Sequence, residues 1–130
     1  MGKGMEEVAV FPEHMKLLLV CVNKTYESIG AYHAARYSWK INPAKAQEAQ
    51  YVMAVSMGVI VGVFEADEWF PALKTHFPDL PSGQGNWHKQ GKRFGFVGRP
   101  APRDIEQRYL DKSVPKDWGF RGNPIRYVHY

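Results

Sequence analysis

One cysteine in 130 residues is the first constraint. Cys21 stands inside the apolar run LLLVCVN, so no disulfide can form within the chain, and the thiol reads as a small buried hydrophobe in a reducing compartment. No stretch approaches the roughly 18 consecutive apolar residues that a membrane-spanning helix needs. The opening MGKGMEEVAVFPEH carries acidic residues where a signal peptide is basic, and its apolar patch is too short for an export core. A cytoplasmic protein without membrane contact is expected. His14, His33, His76, His88 and His129 show no metal-ligand spacing, and a single cysteine cannot complete a common zinc site. No glycine-rich loop leads into a lysine and a hydroxyl residue, since GKRFGFVGR lacks that order, and no serine sits in a nucleophile elbow. Neither cofactor nor metal is expected, and no catalytic set is recognisable.

What is present fits one ordinary globular domain: 45% of residues are hydrophobic, 14% aromatic and 23% charged. The net charge of +4 is unevenly spread. Residues 1–85 hold seven Lys/Arg against nine Asp/Glu, whereas residues 86–130 hold ten against four. In that C-terminal third aromatic residues alternate with Arg and Lys, one requirement for contact with a polyanion. The plainer reading is a solvated basic face.

Residues 1–15 lack periodicity and read as a loosely ordered lead-in, with one domain over 16–130. Lys16 to Asn23 is a strand buried on both faces. Thr25 caps a helix running to about Tyr37, and Asn42 followed by Pro43 starts a second, short one. Two strands, about Gln50 to Ser56 and Val59 to Ala66, flank Met57-Gly58, where glycine supplies the positive φ of a hairpin turn. Gly62 marks a bulge or a close backbone approach. Residues 70–90 form a long Pro/Gly loop, KRFGFVGR a fourth strand, APRDIEQRYLDK a helix and PIRYVHY the closing strand. The fold class is therefore α+β, a small mixed or antiparallel sheet curled toward an incomplete barrel with peripheral helices.

The stretch AYHAARYSWKIN is the densest cluster of binding chemistry. On a continuing helix, Tyr32, Arg36, Trp39 and Lys40 share one side. Aromatic rings beside cations can stack on a base and hold a phosphate. The bland alternative is that the rings pack on the sheet while Arg36 and Lys40 meet the helix dipole. Glu65 and Asp67, in FEADEWFPA, share one face of a strand, an arrangement open to acid/base chemistry or to accepting a hydrogen bond from a base edge.

The segments LLLVCVNKTY, ARYSWKIN, YVMAVSMGVIVGVFEADEWFPA, RFGFVGRPAP and NPIRYVH together resemble a bacterial and phage family of small domains, and their element order is similar to the PUA-like barrels with their ASCH and EVE branches. That resemblance implies a curled sheet with a cleft beside the first helix that binds RNA or DNA, sometimes around a modified or flipped base. It places Asn23, Arg36, Trp39 and Lys40 near the cleft and makes Trp69 a wall. Arg93 and Arg99, with Arg103, Arg108 and Arg126, extend the basic surface. The Pro/Gly loop departs from the pattern, since it can cover such a cleft. Two other functions remain open: an assembly module whose Trp, Tyr and Arg residues form an interface, and an ASCH-like hydrolase using Glu65 or Asp67 with His33.

Overall fold

The run LLLVC has no polar position, and a strand of that composition must be covered on both faces. It forms β1, Leu17–Cys21, beside the middle of a five-stranded sheet ordered β4-β3-β2-β1-β5. The other strands are β2, Tyr51–Ser56; β3, Val59–Pro71; β4, Phe94–Pro100; and β5, Ile125–Val128. The computed structural model describes residues 7–22, 30–32, 34–35, 39, 41–71, 94–115, 118 and 125–129. β1 runs parallel to β2, with Leu17 opposite Tyr51, and every other pairing is antiparallel. The α+β class with a mixed sheet is thus as expected, while the hydrogen-bonded order is open, from β4 at one side to β5 at the other.

Alternate residues of β1 divide the core. Leu17 and Leu19 join Met53, Val55, Ile60, Val63 and Val128 on one face; Leu18 and Val20 join Val52, Ala54, Phe64, Phe96 and Ile125 on the other. Two bulges in β3 govern which face each later residue meets. Between Ala54 and Val55 the register skips Val61, next to Gly62 as the sequence suggests, and between Ala66 and Glu68 it skips Asp67. The second bulge shifts the alternation so that Trp69 returns to the face of Phe64.

Helical backbone at 30–32 and 34–35 buries Ala34 and Ala35 on the Phe64 face. On the same face lies α1, Pro43–Ala46, whose start is as predicted: Asn42 Oδ1 accepts hydrogen bonds from the N–H groups of Ala44 and Lys45. The opposite face is covered by α2, Arg103–Tyr109, with Tyr109 fully buried. The turn Met57-Gly58 has positive φ at both positions, 53° and 81°, which is the type I′ hairpin whose twist matches the strands it joins.

The N-terminal segment departs from expectation. Residues 7–15 are part of the core rather than a loose lead-in, because Ala9, Phe11 and Met15 are buried against β1, β3 and α2. Phe11 stacks between Tyr109, at 5.6 Å between ring centroids, and Trp118, at 5.1 Å. Burying a ring of that size contributes about 1.5–3 kcal/mol. The segment also connects distant edges: Ala9 N–H donates to Ser113 C=O, Ser113 N–H to Glu7 C=O, and His129 Nε2 to Phe11 C=O at 2.9 Å. It therefore spans from the strip beside β3 to the residue after β5.

Candidate nucleic-acid interface

The aromatic residues gather where β3 and β4 run together beyond β2. Phe96 lies at the centre, 5.1 Å from Trp69, 6.0 Å from Tyr32 and 6.4 Å from Phe64, with the rings tilted or edge-on rather than parallel. Tyr32 is pinned by its hydroxyl, which donates to Gly98 C=O at 3.1 Å and accepts from Gly98 N–H. The close approach of β3 requires glycine at 98: a Cβ there would collide with the backbone oxygen of Glu65.

Trp39 is where the structure most revises the sequence reading. It is not a further position on the helical face of Tyr32; it pairs with Phe94 in an antiparallel bridge outside the named strands. Trp39 N–H donates to Phe94 C=O at 3.0 Å and Phe94 N–H to Trp39 C=O at 2.8 Å. Its indole Nε1 donates to the backbone C=O of Ala35 at 2.6 Å. The bond is made at the ring edge, so it fixes the ring without engaging its π-faces, and Trp39 stays only half-buried.

Trp69 is core, not an open wall. It is 7% exposed and rests on Phe96, because the Asp67 bulge turns it inward. Among the described residues its buried Nε1 meets no hydrogen-bond partner. Gln47 supports this stretch of β3 where β2 no longer reaches it: its side chain donates to Asp67 C=O at 3.0 Å and accepts from Trp69 N–H at 3.3 Å. Nothing in the composition around Gln47 marks it, since one side-chain amide stands in for a missing strand.

Arg99 is likewise committed within the fold. Its Nη2 donates to both carboxylate oxygens of Asp67, at 2.7 and 2.6 Å, and its Nη1 to Glu65 at 3.1 Å. Those hydrogen bonds, Asp67 foremost and Glu65 next, hold its pKa above the ordinary arginine value. Glu65 and Asp67 do meet, as their spacing suggests, but around a cation that holds both. Among the described residues no group of His, Cys, Asp or Glu is placed to hold a metal ion, and no helix is long and apolar enough to cross a membrane.

Of the other expected site residues, Asn23, Arg36, Lys40 and Arg93, with His33, lie outside the described residues, as does most of the loop expected at 70–90. Arg103 and Arg108 are exposed on α2, and Arg126 lies over the Trp118 ring at 4.7 Å, on the face opposite Trp69 and Phe96. The bridge nevertheless relates two distant parts of the sequence. Arg36 and Lys40 flank Trp39 along the chain, and Lys92 and Arg93 immediately precede Phe94. The described residues carry seven Lys/Arg against nine Asp/Glu, whereas the rest of the chain carries ten against four, so the basic excess belongs to segments outside the described framework. Comparison with protein-family models, with curated proteins and with solved structures finds no match for this chain.

Proposed function

We propose that the protein binds single-stranded or locally opened RNA or DNA at the β3–β4 end of its sheet, with Trp39 as the stacking ring and the cations next to it in sequence as phosphate contacts. The observation that carries this reading is the reciprocal Trp39–Phe94 bridge. It puts a half-buried indole at the meeting point of two sequence stretches rich in Lys and Arg, with an aromatic cluster behind it. Arg99, balanced by two carboxylates, adds little, and Trp69 acts from within by supporting Phe96.

A PUA-like arrangement, in which a curled sheet holds a modified or flipped base, belongs to the same proposal. It is supported by the bulges of β3 and by the way residues 7–15 reach from Ser113 to His129. A cytoplasmic setting is part of it too, and a free thiol at Cys21 suits one. Fluorescence anisotropy of labelled single-stranded oligonucleotides tests the reading. Stacking on one ring is worth about 1–3 kcal/mol, so Trp39→Ala should weaken binding by roughly 5- to 150-fold; equal affinity of the variant and the parent protein contradicts it.

A further inference from the structure

Among the described residues, the segment at 7–11 is paired along one main-chain side only. On its inner side Glu7 C=O and Ala9 N–H bond Ser113 in a parallel bridge centred on Val8. That geometry turns the N–H and C=O of Val8 outward, and the alternation of buried Ala9 and Phe11 with exposed neighbours carries the same direction to Val10. Among the described residues, the main-chain groups of Val8 and Val10 meet no partner. Their side chains are 52% and 79% exposed, two of the four large hydrophobic residues that stand open to solvent among the described residues. A third, Met57, sits on the turn whose Gly58 C=O accepts from Val114 N–H, beside the same strip.

Both edge strands of the five-stranded sheet carry some cover among the described residues. Trp39 occupies the outer side of β4 at Phe94, and β5 carries Arg126 over Trp118 and Tyr127 beneath Lys45 at 4.3 Å. Cations and covering segments are the usual guards against strand addition. On the 7–11 edge the residues whose main-chain groups face outward are valines, and Glu7 is the one charged side chain.

We propose that this edge pairs antiparallel with the same edge of a second copy of the chain, giving a two-fold symmetric dimer. The register follows from the free groups. Antiparallel strands alternate residue pairs that exchange two hydrogen bonds with pairs that exchange none, so within the described residues the outward groups at Val8 and Val10 are satisfied together only when Val8 faces the partner's Val10. Centring on Ala9 makes both such pairs by symmetry, four main-chain hydrogen bonds in all. The same register sets valine against valine on the exposed face. It also places Glu7 opposite the partner's Phe11, so no carboxylates oppose each other. One short strand and its valines bury less than a permanent dimer needs, so the association is weak and rises with concentration.

The test uses the full chain with Cys21→Ala, which removes the native thiol. Sedimentation up to about 1 mM protein should show a monomer–dimer equilibrium, and Val10→Lys should shift it to monomer with an unchanged melting temperature. The register is read by cross-linking. Under oxidised glutathione, a mixture of Val8→Cys and Val10→Cys proteins should give a covalent heterodimer, since facing Cα atoms lie about 5.5 Å apart, within disulfide reach. Each variant alone should cross-link far less, because equivalent positions are offset by two residues along the strand. A monomer at every concentration, a dimer indifferent to Val10→Lys, or equal cross-linking by the single variants overturns the proposal.

Discussion

Arg99 grips Asp67 through both carboxylate oxygens while also bonding Glu65 across the β3–β4 pair. Arg99 lies opposite Glu65 in the β3–β4 register, and Asp67 is the residue that register skips. All three side chains are substantially exposed, and exposed ion pairs contribute little to stability. Arg99→Ala is therefore expected to change oligonucleotide affinity by less than about twofold and to leave the unfolding midpoint nearly unchanged. Anisotropy titration and urea unfolding check both; a large loss of affinity would return Arg99 to the interface.

Gly98 is fixed by the closeness of Glu65 and by its double hydrogen bond with the Tyr32 hydroxyl. Gly98→Ala forces the strands apart and should destabilise the protein by roughly 3 kcal/mol, the upper part of the overpacking range. Thermal melting measures this. A neutral outcome would mean that β4 does not approach β3 as described.

Met57 adopts φ 53° in the hairpin turn with its side chain 80% exposed, so it bears backbone strain with little packing in return. Met57→Asn supplies the residue that a type I′ turn prefers ahead of glycine. The variant should be more stable by about 1 kcal/mol, the scale of the left-handed penalty for an ordinary side chain. Equilibrium unfolding by denaturant reads the sign directly.

Asn42 holds two N–H groups at the start of α1. Asn42→Ala should cost about 1 kcal/mol, and Asn42→Asp much less, because aspartate caps equally well. Comparing the pair separates capping from any other effect of changing the residue.

The strand pattern was legible because it rests on local chemistry. The fully apolar LLLVC, the Asn42-Pro43 start signal and the Met57-Gly58 turn each state their structure within a few residues. What was illegible depends on partners far along the chain. Trp39 looks helical by spacing, whereas it pairs with Phe94, 55 residues further along the chain. Trp69 looks like a surface ring beside acids, and only the bulge at Asp67 turns it inward. The first strip of core was in fact written in EVAVF, where Ala9 and Phe11 alternate with Val8 and Val10, but a period of two over five residues is too short to stand out beside charged neighbours.

If a polyanion is held by the cations adjacent in sequence to Trp39 and Phe94, binding must weaken as salt rises. For a single strand, each phosphate contact adds about 0.7 to the slope of log K against log salt. The double variant Lys40→Ala/Arg93→Ala should therefore bind a short single-stranded oligonucleotide with a slope shallower than that of the parent protein by about 1.4. Parallel slopes for the two proteins, or parent binding that does not change with salt, would contradict it.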